Sequence, residues 1–193
     1  MTLTYSIQTT LLPAALMLSV TTSMSAAQHV ITVDDDGQDM PHADFNNLEQ
    51  AVESACAYLA SSSSHARSAT IRVSPGVYGL VETLEMPVGG LLVIRGMEGA
   101  EETTINASSV DIAMDIQGGA VKLEGLKLRT RTSTDPQDER IGIRCDDVHL
   151  ALEDCIFSNL ESPDDPGDAS GTGMFASNST EHMKEVVLSL IHI

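Results

Sequence analysis

A pattern that repeats after 29 residues constrains the fold of this chain more than any other feature of the sequence. The segment IAMDIQGGAVKLEGLKLR begins at Ile112, and the segment IGIRCDDVHLALEDCIFS begins 29 residues later, at Ile141. Apolar residues are aligned with apolar residues at seven positions: Ile112 and Ile141, Met114 and Ile143, Ile116 and Cys145, Val121 and Leu150, Leu123 and Leu152, Leu126 and Cys155, Leu128 and Phe157. A repeat of this length indicates a stack of similar structural units.

Each repeat unit contains short strands with a bend between them and no helix. Apolar residues alternate through positions 121 and 123 and change phase at Glu124-Gly125, and the same change occurs at Glu153-Asp154. A phase change keeps one face pointing inward on both sides of a bend. Strands joined without a helix cannot form the usual strand–helix–strand crossover. Stacked coils satisfy both conditions, because each strand then pairs in parallel with its copy about 4.8 Å away in the next coil.

Charged residues at the same offset give a further prediction about neighbouring strands. Asp115 is aligned with Arg144, and Asp111 is aligned with Arg140, so both pairs are opposite in charge. Cross-strand pairs of this kind contribute about 0.2–1 kcal/mol each. The two glutamates that precede the phase changes are aligned with each other, and we expect solvent at the corner to screen this like-charge pair.

The segment from Phe45 to Ala60 is predicted to be an amphipathic helix with Asp44 as its N-cap residue. The residues expected on its buried face are Phe45, Leu48, Val52, Ala55, Cys56 and Leu59. We interpret this helix as a cap over the open end of the coil stack, where unpaired strand edges would otherwise invite aggregation. The alternative is a helix packed on the side of an α/β domain.

The stretch between Ala69 and Met86 is predicted to contain two strands separated by Pro75-Gly76. Proline lacks an amide hydrogen and glycine tolerates positive φ, so this pair separates one strand from the next. Ile71 and Val73 share one face of the first strand, and apolar residues resume after the pair at Val81, Leu84 and Met86.

The first 27 residues are predicted to be a signal peptide. They carry no charged side chain, and the apolar run from Leu11 to Val20 is too short to cross a bilayer. Ser25-Ala26-Ala27 fits the small-residue rule for cleavage, so Gln28 would be the mature N-terminus. The segment before the apolar run lacks Lys and Arg, which departs from the usual pattern. We expect a protein that is secreted or displayed at the cell surface, with no membrane partner after signal removal.

The composition restricts the class of partner and the kind of core. A net charge of −18 at pH 7 argues against nucleic acid and anionic lipid, because their binders present Lys and Arg. Aromatic residues make up only 3% of the chain, so the core is predicted to consist of aliphatic side chains that suit stacked strands. The odd number of cysteines leaves at least one thiol free, and Cys56, Cys145 and Cys155 are interpreted as small buried apolar side chains.

Four segments, taken in order, carry a resemblance to a known family: DDDG, DFNNLEQAVESA, IRVSPGVYGLVETLEM and LLVIRGMEGAEETTINAS. Between His29 and about Leu160 the chain resembles the N-terminal part of the pectin-lyase-like superfamily, which includes pectin esterases, pectate lyases, polygalacturonases and phage tailspikes. The resemblance implies an all-β fold, a single-stranded right-handed parallel β-helix with an N-terminal amphipathic capping helix. It implies no particular reaction, because members of the superfamily differ in chemistry and some have no known enzyme activity.

The resembling enzymes carry their catalytic groups on the outward face of one sheet. Esterases of this kind use two aspartates and an arginine, and lyases use calcium-binding carboxylates and an arginine base. The esterase motifs are absent from this chain, so no catalytic residue is assigned.

Two acidic loops and one basic cluster are candidate binding sites. Asp164, Asp165 and Asp168 are candidate calcium ligands, because calcium prefers six to eight oxygen ligands; the alternative is a solvated turn. The same two interpretations apply to the loop Asp34–Gly37. The basic cluster would either line a groove for an acidic polysaccharide or offset the surrounding carboxylates. Its members are Lys122, Lys127, Arg129 and Arg131.

The chain divides into residues 1–27 as signal peptide, 28–68 as N-terminal strand and capping helix, and 69–187 as coils. The sequence ends in a predicted strand without a polar cap, which favours an incomplete β-helix whose catalytic part is missing. Residues 188–193, LSLIHI, match the translation of a transposon-end sequencing adapter. We hypothesise that they are adapter read-through; the alternative is a genuine strand, because LSLIHI also fits the repeat pattern.

The function expected from these observations is action on an acidic polysaccharide by a secreted β-helix protein, through pectin-type ester hydrolysis or lyase chemistry. The alternative is a noncatalytic β-helix that binds polysaccharide or forms a rigid surface rod. Asp and Arg clustered on one outward face would favour the enzyme, and plain repeats would favour the rod.

Overall fold

The computed structural model describes residues 28–61, 67–87, 89–130, 140–158, 171–177 and 180–189, the last two segments as backbone only. The predicted signal peptide, the predicted calcium loop with Asp164, Asp165 and Asp168, and residues 190–193 lie outside these ranges.

The described chain contains one α-helix and twelve strands. The helix is α1 (Leu48–Ala60). The strands are β1 (Gln28–Val33), β2 (Ser68–Val73), β3 (Gly76–Gly79), β4 (Leu84–Pro87), β5 (Leu91–Gly96), β6 (Thr103–Ala107), β7 (Ile112–Gln117), β8 (Ala120–Thr130), β9 (Arg140–Asp146), β10 (His149–Ser158), β11 (Gly171–Ser177) and β12 (Thr180–Ser189).

The strands form two sheets, and every strand pair in the described part of the chain is parallel. The long sheet has eight strands in the order β1-β2-β5-β8-β10-β12, and β3 and β6 join it through β8. The short sheet has four strands in the order β11-β9-β7-β4. The fold is therefore strand-rich and built from parallel sheets.

The 29-residue offset read from the sequence is the register between β7 and β9 and between β8 and β10. All seven aligned apolar pairs face each other: three between β7 and β9 and four between β8 and β10. Parallel pairing in register places each of these side chains directly beside its copy. The prediction of parallel pairing at this offset is confirmed for these strands.

The predicted bend lies inside β8. Its first half pairs with β5 as far as Glu124, and its second half pairs with β6 from Lys127 onward. Gly125 has φ +63° at the corner, and Asp154 takes φ +49° at the equivalent point of β10. Left-handed backbone at both corners lets the strand change direction while apolar residues continue to point inward.

The core consists of aliphatic rows that run across the long sheet. One row contains Ile71, Ile94, Leu123 and Leu152, which are in register from β2 to β10 and are at most 3% exposed. Full burial of such a side chain contributes about 1.5–3 kcal/mol. Helix α1 packs against β1, β2, β4 and β5 and buries Leu48, Ala51, Val52, Ala55, Cys56 and Leu59.

The prediction of Asp44 as the helix N-cap is wrong. The helix begins after Asn47, whose Oδ1 accepts a hydrogen bond from the backbone N–H of Gln50 at 3.1 Å. Asp44 instead accepts hydrogen bonds from the backbone and hydroxyl of Thr32, each at 2.8 Å. Phe45 forms a parallel bridge to Val33, so the chain is still extended where the sequence predicted the first helical turn.

The turn before β4 is tied to α1 by hydrogen bonds. The backbone N–H groups of Val81 and Glu82 donate to Glu49 Oε1 at 2.7 and 3.2 Å. Val81 is 79% exposed, whereas Ile71, Val73, Leu84 and Met86 are buried.

Candidate functional site

The short sheet carries a pair of opposite charges on its outward face. Met114 and Ile116 point into the core, so Asp115 between them points outward. Its partner in register is Arg144 of β9, as the repeat predicted. Arg144 donates from Nε to Asp115 Oδ1 at 3.1 Å and from Nη2 to Oδ2. The Asp115 side chain is 8% exposed and that of Arg144 is 42% exposed, so the carboxylate is shielded while the guanidinium reaches solvent.

The pair fixes the ionisation of both groups. Hydrogen bonds from Arg144 hold the pKa of Asp115 below its ordinary value, against the opposing effect of burial. Gln117 Nε2 donates to Asp115 Oδ2 at 3.5 Å and lowers this pKa further. The same hydrogen bonds raise the pKa of Arg144. Asp115 is therefore a carboxylate across the physiological pH range.

A second carboxylate lies beside this pair. Glu85 of β4 is in register with Asp115 and is exposed, and its charge also raises the pKa of Arg144. The outward face thus presents Glu85, Asp115, Gln117 and Arg144, which we name the short-sheet cluster. Sequence reasoning missed Glu85 and Gln117. The 29-residue offset would have aligned Met86 with Asp115, because the spacing between β4 and β7 is 30 residues.

The second predicted pair involves Asp111 and Arg140. The backbone N–H of Ile141 donates to the carbonyl oxygen of Asp111 at 2.9 Å, so the two segments run side by side. The side chain of Arg140 lies outside the described part of the chain, and the ion pair stays a prediction.

The like-charge pair of Glu124 and Glu153 is in register, as predicted, but is balanced differently from what we expected. Lys122 Nζ lies 2.8 Å from Glu124 Oε2 and 2.7 Å from Glu153 Oε2. Arg95 Nη2 lies 2.8 Å from Glu124 Oε2 as well. Burial opposes ionisation of Glu124, yet the hydrogen bonds from Lys122 and Arg95 give it a lowered pKa. The positively charged side chains of Lys122 and Arg95 therefore balance the two glutamates at this corner, in place of the solvent screening we expected.

The four basic residues singled out in the sequence are used in different ways. Lys122 joins Glu124 and Glu153, and Lys127 Nζ lies 3.2 Å from Glu101 Oε2. These two lysines offset neighbouring carboxylates. Arg129 is exposed and has no ion-pair partner within residues 28–158 as described, and Arg131 lies outside those residues.

The first acidic loop is a compact turn. Carboxylate oxygens of Asp34, Asp36 and Asp39 lie within 4.8 Å of one another, close enough to share a cation. Asp34 is 1% exposed and accepts hydrogen bonds from the backbone N–H groups of Met40 and Asp36. Burial opposes its ionisation, but these hydrogen bonds and one from Ser74 lower its pKa. Because backbone donors already occupy the buried carboxylate, the geometry fits a structural turn better than a calcium site.

Two open depressions flank the helix. One of about 470 Å³ lies against the acidic loop and includes Asp34, Phe45 and Gln50 in its wall. The other, of about 980 Å³, lies between α1 and β4. Its wall combines the apolar residues Val52, Cys56 and Leu84 with the acidic residues Glu49, Glu53, Glu82 and Glu85.

The three cysteines are buried, and none of them forms a disulfide bond. Burial raises the pKa of Cys56 to about 11 and also raises the pKa of Cys155. Thiols in this environment are protonated and unreactive at neutral pH. The interpretation of the cysteines as buried apolar side chains is confirmed.

Comparisons with known protein families, with curated proteins and with solved structures find no match. Within the described ranges, the helix is too short and too polar to cross a membrane.

Proposed function

We propose that this protein is an exported, right-handed parallel β-helix whose helix α1 caps the first coil, and that it acts on an acidic polysaccharide. The shared offset supports this architecture. Strands return beside their copies after 29 residues between β7 and β9 of the short sheet and in both halves of the bent strands β8 and β10. The resemblance of residues 29–160 to the pectin-lyase-like superfamily points to the same architecture and to polysaccharide as the substrate class.

The observation that carries the functional proposal is the pairing of Asp115 with Arg144 on an outward sheet face. Asp115 occupies the Nε and Nη2 edge of Arg144, and the remaining N–H donors of this half-exposed guanidinium can bind the carboxylate of a uronic acid unit. Asp115, held ionised beside it, supplies a carboxylate next to the bound sugar. Glu85 and Gln117 provide further polar contacts along the same face.

The pKa shifts of this pair favour ester hydrolysis over lyase chemistry. The resembling lyases use an arginine as the base, and the hydrogen bonds to Asp115 raise the pKa of Arg144, so this guanidinium gives up its proton less readily. The Asp115 carboxyl, with its lowered pKa, is also a weak proton acceptor at neutral pH. It remains available as a nucleophile or as a stabilising negative charge. In this proposal, Arg144 binds the acidic sugar and Asp115 faces the neighbouring ester.

Product analysis tests the proposal directly. The purified chain is incubated with methyl-esterified polygalacturonan, and methanol and unsaturated sugar ends are measured separately. We expect methanol without unsaturated ends. Asp115→Asn should lower methanol release by at least about 100-fold. Arg129→Gln, which removes an exposed arginine outside the short-sheet cluster, should leave it unchanged. Unsaturated ends would replace the esterase assignment by a lyase.

A second candidate is a noncatalytic β-helix that binds polysaccharide or serves as a surface rod. The two hydrogen bonds between Asp115 and Arg144 favour this noncatalytic candidate. A purely structural cross-strand pair would also bind the carboxylate through both oxygens. Retention of the chain on polygalacturonan with neither methanol nor unsaturated ends would establish this candidate over the enzyme.

A further inference from the structure

The outward face of the long sheet carries two arginines side by side. Arg72 of β2 is in register with Arg95 of β5, so their backbones are about 4.8 Å apart. Ile71, Val73 and Ile94 on the same strands are buried, so both arginines point away from the core. Arg72 is exposed, and the Arg95 side chain is 46% exposed.

The charges along this row do not cancel at Arg72. Glu124 and Glu153 follow Arg95 in the row, and both are bound by Lys122, while Arg95 Nη2 also contacts Glu124 at 2.8 Å. Arg95 is therefore engaged on the side away from Arg72. Arg72 has no carboxylate partner in the described segments.

The other neighbour of Arg72 in the row also supplies no carboxylate partner for it. This neighbour is Thr32 of β1, and its backbone N–H and hydroxyl both bind Asp44. The Asp44 carboxylate is thus committed to Thr32. An exposed positive charge beside a second arginine is unusual in a chain with a net charge of −18, because like charges on directly opposed residues repel.

We propose that Arg72 and Arg95 together bind a carboxylate of an acidic polysaccharide, at a site separate from the short-sheet cluster. The identity of the polymer rests on the proposed function. A carboxylate placed between two guanidinium groups accepts charge-assisted hydrogen bonds from both and removes the repulsion between them. The site would hold the polymer on the long sheet while the short sheet acts on it.

The surroundings favour a sparsely charged polymer over nucleic acid. Duplex DNA carries one negative charge per about 1.7 Å of its axis, so it would meet the carboxylates of Glu124 and Glu153 within the same row. A polyuronate carries one carboxylate per sugar and can place a single group between the arginines. Neutral segments of the sugar chain can then lie over Thr70 and Val93, which flank the pair on the same face.

The test measures binding of polygalacturonate by titration calorimetry at low and at raised ionic strength. Arg72→Gln should weaken binding about tenfold, as expected for loss of one charge-assisted contact. Arg129→Gln is the matched control, because Arg129 is also exposed and has no ion-pair partner among the described residues, but it is in register with Asn106 and Ser158 and not with an arginine. The control should change binding less than about twofold. Arg72→Lys keeps the charge without the planar fork and should fall between the two.

Thermal unfolding separates a binding role from a structural one. Without polymer, Arg72→Gln should unfold at the same temperature as the original chain or slightly higher, since a repulsion is removed. Polygalacturonate should raise the unfolding temperature of the original chain and of Arg129→Gln more than that of Arg72→Gln.

Three outcomes would overturn the inference: no binding of polygalacturonate, equal weakening by Arg72→Gln and Arg129→Gln, or tighter binding of DNA than of polygalacturonate. None of them depends on methanol release, which tests the short-sheet cluster. Conversely, loss of methanol release in Asp115→Asn with unchanged binding would leave the Arg72 and Arg95 site in place.

Discussion

Gly96 lies where two neighbouring strands approach most closely at a corner. A Cβ atom at this position would lie 2.1 Å from the carbonyl oxygen of Gly125 and 2.9 Å from Thr103 Oγ1. The first neighbour is backbone and cannot rotate away, so the corner of β8 requires glycine in β5. The conformation of Gly125 and the missing side chain of Gly96 are therefore parts of one packing arrangement.

Substitution of Gly96 by alanine should destabilise the fold by about 2–3 kcal/mol, the range for overpacking against atoms that cannot move. Gly79→Ala is the control, because nothing lies within 4 Å of a Cβ atom there, and it should change the stability by less than about 1 kcal/mol. Urea unfolding of both variants measures the difference. Equal stability of the two would mean that the corner is not packed as described.

Asp115 links the stability of the fold to pH. Arg144 lowers its pKa in the folded protein below the ordinary value of 3.8, so folding favours the ionised form. The resulting stabilisation is fully present above pH 3.8 and is lost as the pH falls through the lowered pKa of the folded state. Because Arg144 is 42% exposed, solvent screens part of the interaction.

Asp115→Asn should therefore lower the free energy of unfolding at pH 7 by about 1–2 kcal/mol. The difference from the original chain should shrink as the pH falls below 3.8, where Asp115 of the original chain takes up a proton. Denaturant unfolding of both proteins at a series of pH values measures this difference. A gap that stays constant down to pH 2 would show that the carboxylate charge contributes nothing to stability.

At the scale of elements, the start of α1 depends on a contact between segments distant in sequence. Asp44 and Asn47 are both residues that can cap a helix. Asn47 is the N-cap residue because Asp44 binds Thr32, twelve residues earlier, and Phe45 forms a β-bridge to Val33. The first part of the predicted helix is thereby held as an extension of β1.

Asn47→Ala should destabilise the protein by about 1 kcal/mol and reduce the helical signal in circular dichroism, because the N–H of Gln50 loses its acceptor. Asn46→Ala is the control, since Asn46 is adjacent and exposed, and it should change the stability by less than about 0.5 kcal/mol. A larger loss of stability for Asn46→Ala than for Asn47→Ala would show that Asn47 is not the N-cap residue.

The difference between periodic side-chain patterns and contacts between distant segments explains which elements could be predicted from the sequence. Side-chain periodicity encodes burial, so the apolar rows, the bends and the alignment of Asp115 with Arg144 were predicted from residue spacing alone. Contacts between side chains of different rows do not recur at a fixed spacing in the sequence. Lys122 contacts Glu124 and Glu153, and the backbone N–H of Val81 donates to Glu49 of α1. Neither interaction leaves a pattern in the sequence.

At the scale of the whole molecule, parallel stacking in register makes long-range neighbours out of residues 29 positions apart. Ile116 of β7 lies beside Cys145 of β9, and both are fully buried. Neighbouring parallel strands are about 4.8 Å apart, which lies within the Cα separation that a disulfide bond can span. The register of the stack can therefore be tested with a single new cysteine.

Ile116→Cys should form a disulfide bond with Cys145 when the folded protein is treated with a mild oxidant, as detected by peptide mapping without reduction. Met114→Cys is the control, because Met114 is aligned with Ile143. From position 114, Cys145 is a diagonal neighbour at about 7–8 Å, too far for a disulfide bond. A disulfide bond to Cys145 from position 114 but not from position 116 would mean that β7 and β9 are shifted by two residues from the register described here. A disulfide bond from neither position would mean that the two strands are not neighbours. Bonding from position 116 alone places β7 and β9 in the register on which the pairing of Asp115 with Arg144 depends.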